Sequence, residues 1–385
     1  MNNINNDNNR EQEIKEAVAH YEALLRSQIE RSDRIKNGEA PTDFSSKEQI
    51  SIGFIGGDGI GPGLVRETER VMAELLKDEL SLGKLVFKDI EGLTIENRMA
   101  CNKAVPDDVL AEIKACDVFV KGPTTTPHGG SMGSANVTLR RELDLFANVR
   151  PVSIPEMGID WTFFRENTEG EYVLGSEGID IDDTLAMDFK CTTIPGTERI
   201  ARKAFDFAVA NGKTEMAVVT KANILKKTDG LFSQICNKVA ADYPTINVSE
   251  WYIDIMTANL VNEDIRSRFQ VFVLPNLYGD IITDEAAQLQ GGVGTAGSAN
   301  IGDRYAMFEA IHGSAPRLME EGLGEYADPR SVMSAGVMLL SHIGLQEKSD
   351  CFKAAIAKAS LKGEATGSKD NLTTAQFADL VLAEL

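Results

Sequence analysis

Histidine and cysteine, the residues of most structural zinc sites, are scarce. Four histidines occur in 385 residues, none in an H-E-x-x-H or H-x-x-x-H arrangement. The five cysteines, Cys101, Cys116, Cys191, Cys236 and Cys351, lie far apart and form no C-x-x-C pair. Zinc and disulfide frameworks are therefore excluded as the basis of the fold. No apolar run approaches the roughly 20 residues needed for a membrane-spanning helix. Positive charge is also in short supply, with 39 Lys and Arg against 59 Asp and Glu, a formal net charge of −20. Such a surface repels nucleic acid and anionic membranes, so neither is an expected partner. An anionic substrate would need a local basic cluster acting against this field. The N-terminus has neither an apolar signal core nor the Arg-rich, acid-poor character of a transit peptide. The cytoplasm is the expected location.

The hydrophobic fraction, 43%, suits one large or two smaller globular domains. Met1–Asn9 is polar, Asn-rich and expected to lack structure. Glu11–Asn37 places Ile14, Val18, Tyr21, Leu25 and Ile29 at near-helical spacing, predicting one amphipathic helix. This arm either docks on its own domain, the favoured reading, or bridges subunits. From Ile50 onward strand and helix patterns alternate. Strands are predicted at 51–55, 85–89, 117–120, 216–220, 247–253 and 271–274. Helices are predicted at 62–80, 106–114, 197–211, 231–242, 330–343, 348–359 and 374–385. Alternation of this kind predicts an α/β fold with a largely parallel sheet.

Two motifs stand out. Asn276-Leu-Tyr-Gly-Asp-Ile-Ile-Thr-Asp284 follows the apolar run Val271–Pro275 and opens a helical pattern. Its carboxylates Asp280 and Asp284 are four residues apart and share a helix face. They either hold a divalent cation, which suits hard oxygen ligands, or form a solvated acidic face. Gly56-Gly-Asp-Gly-Ile-Gly-Pro-Gly63 follows the first strand and opens a helix. It fails the G-x-G-x-x-G spacing, because Pro62 or Leu64 stands where the last glycine is required. A classical dinucleotide fingerprint is absent.

Together with Lys121-Gly-Pro-Thr-Thr-Thr-Pro127, Leu139–Pro151, Phe164-Arg-Glu-Asn-Thr-Glu-Gly-Glu-Tyr172, Lys221–Lys226, Gly291–Gly294 and Phe308–Pro316, these motifs resemble the isocitrate/isopropylmalate dehydrogenase family over about residues 50–385. The resemblance implies large and small α/β domains sharing a mixed sheet, not a classical Rossmann fold. Residues 1–49 would be an N-terminal extension. Residues 50–145 and 291–385 would form the large domain, and 146–290 the small domain with a dimer-forming segment. It implies metal-dependent oxidation and decarboxylation of a 2-hydroxy acid, using a nicotinamide cofactor and Mg²⁺ or Mn²⁺. It also implies a homodimer or higher homo-oligomer with shared active sites. Asp280 and Asp284 would bind the metal with Asp254 of the second subunit. Lys221, also from the second subunit, would be the base, and Tyr172 would protonate the enol. Arg140, Arg150 and Arg165 would hold substrate carboxylates, a task suited to permanently charged, bidentate guanidiniums. Arg141, turned about 100° from Arg140 on a helix, is read as a surface residue.

Ahead of Arg140 lies Gly129–Asn136, in which Ser134 and Asn136 match the pair that contacts the third carboxylate in isocitrate dehydrogenases. An apolar substituent there would leave both without hydrogen bonds. Isocitrate, a small tricarboxylate, is thus the expected substrate. Homoisocitrate and 3-isopropylmalate are the alternatives, and a non-catalytic regulatory subunit is the alternative of another class. Thr126, Asn223, Glu309, His312, Gly313, Ser314, Ala315 and Asp328 fall at the family's cofactor positions. Arg317-Leu318 matches neither the NADP nor the NAD pattern. The tail Thr366–Thr374 resembles the NAD branch, and Asp328 would repel an added phosphate. NAD is the expected cofactor.

Overall fold

A computed structural model of the chain describes residues 2–38, 40–127, 132–175, 177–182, 184–292 and 296–385, with residues 2–9 described by backbone alone. Among the described residues twelve strands run in chain order: β1 (Ile50–Ile55), β2 (Leu85–Asp89), β3 (Val118–Lys121), β4 (Ala147–Ile154), β5 (Ile159–Glu166), β6 (Ile179–Ile181), β7 (Leu185–Met187), β8 (Glu215–Thr220), β9 (Asn247–Tyr252), β10 (Val271–Leu274), β11 (Gly297–Ile301) and β12 (Ala306–Ala310). The chain forms two compact units, Ala40–Phe163 with Ile282–Leu385, and Met1–Glu39 with Phe164–Ile281. The sequence divisions stood at 146 and 291, and these units divide the chain at 164 and 282.

In the larger unit the strand order is β2-β1-β3-β12-β11-β4. The first three neighbouring pairs are parallel, whereas β11 is antiparallel to both β12 and β4. The sheet is therefore mixed, as the family resemblance implies, rather than the largely parallel one that strand–helix alternation alone predicts. The strands that make it so were not predicted, because they carry buried polar residues. Asn148 and Arg150 interrupt β4, Ser298 and Asn300 interrupt β11, and Glu309 interrupts β12. Hydrophobic periodicity does not register such strands. One core of this unit gathers Ile55, Ile113, Phe119, Leu139, Leu145 and Met307. The helix expected at 62–80 is two, Gly61–Leu75 and Lys77–Ser81, divided at Leu76.

The glycine loop owes its composition to close backbone approach. A Cβ on Gly57 would meet the Pro123 carbonyl oxygen at 2.3 Å, and one on Gly59 would meet that of Ser314 at 2.1 Å. The Asp58 side chain ties the junction together, accepting from the amides of Ile95 and Thr125 at 2.7 Å each. The loop thereby braces the segments on either side of it.

In the smaller unit β10, β8 and β9 are parallel neighbours, and β6 with β7 forms a separate antiparallel pair. The N-terminal helix spans Asn2–Lys36, so the stretch expected to lack structure is helical from Asn2. Extending an existing helix costs far less than nucleating one. The helix packs on its own unit, with Tyr21 stacked on Phe189 at 5.2 Å and His20 at 3.0 Å from the Glu177 carbonyl oxygen. The docked face differs from the predicted stripe. Ile14, Val18, Leu25 and Ile29 are 40–63% exposed. Leu24 is buried, and Ala17, Gln28, Arg31 and Ile35 are partly covered. Polar pairs fix much of that face, so an apolar stripe is a poor guide to it.

Candidate active site

The smaller unit assembles one cluster on the helix Asn276–Leu289, which begins directly after β10 and Pro275. Arg165, 1% exposed at the end of β5, donates from Nε and Nη2 to Asn276 Oδ1 at 2.9 and 2.6 Å. Its Nη1 pairs with Asp280. Tyr172 donates its hydroxyl to the other Asp280 oxygen at 2.6 Å. The Arg165 guanidinium carbon lies 5.3 Å from the Tyr172 ring centroid. Gly279 lies beneath Arg165, whose side-chain carbons would meet an added Cβ at 2.6 Å. Thus Arg165, Tyr172 and Asp280 meet at one point. Asn276 is the member that the sequence reading quoted without giving it a role.

Lys221 and Asp254 form a second pair, Nζ to Oδ1 2.6 Å. Lys221 begins the turn after β8, with its amide held by the Asp229 carboxylate at 2.7 Å. Asp254 lies in the first turn of the helix Ile253–Leu260. The Lys221 hydrogen bond holds the Asp254 carboxyl below its ordinary range. Asn223 is exposed in the Lys221 turn.

In the larger unit Arg150, 6% exposed on β4, donates to the Thr283 hydroxyl at 2.5 Å and to Asp284 at 3.1 Å. Asp284 stands one turn after Asp280 on the same helix. Arg140, in the helix Ala135–Glu142, pairs with Glu309 at 3.3 Å, and its Nε is buried without a hydrogen-bond partner among the described residues. Arg141 is exposed. Ser134 caps this helix, accepting weakly from the Val137 amide at 3.5 Å. Asn136 Oδ1 accepts from Thr124 at 3.1 Å. Residues 129–131 of the specificity segment, and Val293 and Gly294 of the Gly291–Gly294 motif, lie outside the described residues.

The expected cofactor residues divide. His312, whose imidazole burial pushes down, has Nδ1 2.9 Å from the Gly313 carbonyl oxygen. Ser314 is buried with its hydroxyl 2.8 Å from that of Thr125, and Ala315 takes a left-handed φ of 50° ahead of the helix Pro316–Glu320. Thr126 and Gly313 are exposed. The Glu309 side chain, in contrast, is a buried ion-pair centre. It holds Lys121 at 3.0 Å, Arg140 at 3.3 Å and the Asn300 amide at 2.9 Å. Burial alone would raise its pKa, but the Lys121 and Arg140 charges outweigh that and hold it at about 2. Asp328 is clasped by Arg330 at 2.7–3.0 Å, so its charge is compensated and the expected repulsion of a phosphate loses its basis.

The isocitrate/isopropylmalate dehydrogenase family matches residues 51–381. The chain belongs to this family. It is 37% identical over 352 residues to an isocitrate dehydrogenase [NADP] of Rickettsia bellii, covering 87% of this chain and 69% of that one. It is 34% identical over 347 residues to isocitrate dehydrogenase [NAD] subunit 2, mitochondrial, of Schizosaccharomyces pombe, covering 87% of each. The crystal structure of isocitrate dehydrogenase from Methylococcus capsulatus superposes with a TM-score of 0.77 at 34% identity, covering 87% of this chain and 99% of that one. The mixed α/β fold is that of the family, whose enzymes are oxidoreductases that use a nicotinamide cofactor and a divalent metal.

The donor set fits such a metal. Asp280 and Asp284 present hard oxygens with side chains 37% and 60% exposed. Among the described residues no group of three or more His, Cys, Asp or Glu gathers at one point.

Proposed function

We propose that the chain is an isocitrate dehydrogenase that converts isocitrate to 2-oxoglutarate and CO2 with reduction of NAD. The observation that carries the substrate assignment is the donor character of the segment ahead of Arg140. Asn136 has its acceptor oxygen engaged by Thr124, leaving its amide N–H to donate. Ser134 accepts only a long amide contact, leaving its O–H to donate. Two donors suit a third carboxylate and would be stranded beside an isopropyl group.

Arg140, Arg150 and Arg165 hold the substrate carboxylates. In the free chain each guanidinium is paired with an acid, so the substrate exchanges with or joins an existing partner rather than meeting a bare buried charge. Lys221 Nζ accepts the hydroxyl proton, and Tyr172 Oη delivers a proton to the carbon that has lost CO2. Asp280 and Asp284, with Asp254 of the partner subunit, hold Mg²⁺ or Mn²⁺. When bound, the metal supplies Lewis-acid polarisation of the hydroxyl and keto oxygens. The pairing of Lys221 with Asp254 supports their delivery to a neighbouring site as one unit. Exposed apolar side chains in the smaller unit, including Leu185, Met187, Ile255 and Val261, support a homodimer. Thr126, Asn223, His312, Gly313, Ser314, Ala315 and Asp328 contact the cofactor. Glu309 acts at this site through Lys121 and Arg140.

NAD is favoured over NADP by the state of Arg317-Leu318. Leu318 packs on Gly367 of the tail and offers a phosphate no donor, and Arg317 makes only an exposed pair with Glu321 at 2.8 Å that contributes little. The cytoplasm remains the proposed location.

The test is a turnover assay following reduced nicotinamide. Isocitrate, homoisocitrate and 3-isopropylmalate are each paired with NAD and NADP in the presence of Mg²⁺. The expected result is a dominant kcat/KM for isocitrate with NAD. Preference for NADP overturns the cofactor assignment alone, and preference for another acid overturns the Ser134/Asn136 argument. Absence of turnover throughout would favour a regulatory subunit.

A further inference from the structure

The family match begins at residue 51, so the N-terminal helix lies outside it. That helix nevertheless reaches the segment carrying the proposed proton donor. Arg31, with its side chain only 14% exposed, donates from Nη1 to Glu169 at 2.9 Å and from Nη2 to the Thr168 hydroxyl at 3.0 Å. Glu169 is 3% exposed. Its carboxylate also accepts from the Thr193 amide at 2.9 Å and from the Thr193 hydroxyl, at the N-terminus of the helix Ile194–Ala210. A Cβ at Gly196 would lie 2.2 Å from Glu169, so glycine there makes room for the acid.

A second buried acid lies beside it. Glu166, 1% exposed, accepts from the Thr168 and Glu169 amides at 2.6–3.1 Å. Two carboxylates thus share one buried turn, and Arg31 brings a full positive charge to it. The same turn is continuous with the active-site cluster. The Glu169 carbonyl oxygen accepts from Asn276 Nδ2 at 3.0 Å, and Asn276 Oδ1 orients the Arg165 guanidinium, which meets Asp280 beside Tyr172. Gly170, at φ 73°, packs against Asn276 and exchanges backbone hydrogen bonds with Cys191 at 2.8 and 3.1 Å. All of these residues belong to the smaller unit.

We propose that Arg31 is a positioning residue of the active site. Through Glu169 it fixes the turn 166–172, and with it the geometry of Asn276, Arg165 and Tyr172. The N-terminal helix is then a brace of the catalytic turn that lies outside the family match. This rests on the reading of Arg165 and Tyr172 as active-site residues. Without Arg31 the buried Glu169 keeps only its Thr193 hydrogen bonds and loses its ion pair, and the turn relaxes. A displacement of that kind costs on the order of ten- to a hundredfold in rate.

The experiment compares R31A, R31K and R26A, each also placed in an E169Q background, in the full chain. Arg26 serves as the control because it makes only an exposed pair with Glu22 on the same helix. For R31A the expected result is a fall of about ten- to a hundredfold in kcat/KM for isocitrate, with both kcat and KM affected. R31K, which keeps the charge, recovers most of the loss, and R26A matches the wild type. In the E169Q background R31A costs little more, since the acid it serves is already neutral. That double variant also removes the buried charge that would hinder folding of R31A alone. Kinetic constants for R31A equal to those of the wild type, with only thermal stability reduced, would overturn the proposal. So would an equal loss in both backgrounds. If the wild type turns over none of the acids, the functional reading has failed. Amide exchange of residues 167–172 then decides the positioning claim: faster exchange in R31A but not in R26A supports it, and unchanged exchange overturns it.

Discussion

Glu309 is the group whose removal has the most calculable consequence. It is 4% exposed and faces Lys121, fully buried, and Arg140, 9% exposed. Replacing it with glutamine keeps the shape and leaves two buried cations without a counter-charge. The Glu309 carboxyl is held at about 2 against its ordinary 4.5. At about 1.4 kcal/mol per unit, that depression is worth roughly 3 kcal/mol at neutral pH. The independent expectation for breaking a buried ion pair, about 3–5 kcal/mol, agrees. The folded-state value lies below the unfolded one, so this stability is present above about pH 4.5 and is lost as pH falls toward 2. Glu309→Gln should therefore be destabilised by roughly 3 kcal/mol near pH 7, with the gap to the wild type narrowing below about pH 4. Unfolding of a two-unit chain need not be two-state. Amide exchange of β3 and β12, the strands carrying Lys121 and Glu309, is thus the better assay. A variant within about 0.5 kcal/mol of the wild type at neutral pH, the range of an ordinary surface change, would refute the reasoning. It would mean that the cations find other partners.

Ser134→Asp should lower kcat/KM for isocitrate by at least about a hundredfold, because a carboxylate would face the substrate's own carboxylate. Aspartate caps helices as well as serine does, so thermal stability should not fall, and near-normal turnover would undo the substrate assignment. Lys221→Met should abolish turnover while isocitrate binding, followed by calorimetry with Mg²⁺, is nearly retained. Its partner Asp254 has a side chain 67% exposed, so little stability is at stake; strong residual turnover would place the base elsewhere.

Much of the site was legible because its chemistry is written in contiguous motifs. Arg165 and Tyr172 belong to one segment, Asp280 and Asp284 to one helical turn, and Lys221 opens its own. Each could be named from local spacing and resemblance. Alternating apolar periodicity likewise located β1, β2, β8, β9 and β10 to within a residue or so of their ends. Local pattern was blind to β4, β11 and β12, where Asn148, Arg150, Asn300 and Glu309 stand inside strands. It also mistook the docked face of the N-terminal helix. Partners of those residues lie far away in sequence, and a polar side chain seen alone gives no sign that a distant cation or amide will satisfy it.

The sequence by itself determined the family, the α/β order and which acids, arginines and lysine are proposed to carry the chemistry. These follow from residue type and short-range spacing, which the chain carries in any conformation. Only the tertiary structure decided that Glu309 is an ion-pair centre, that Asp328 is neutralised by Arg330, and that Arg31 pairs with the buried Glu169. Each of these depends on which charges are buried together. For Lys121 with Glu309 and Arg31 with Glu169, far apart in the chain, Coulomb attraction exists only once folding has brought them into contact, and for the neighbours Asp328 and Arg330 folding supplies the burial that strengthens it.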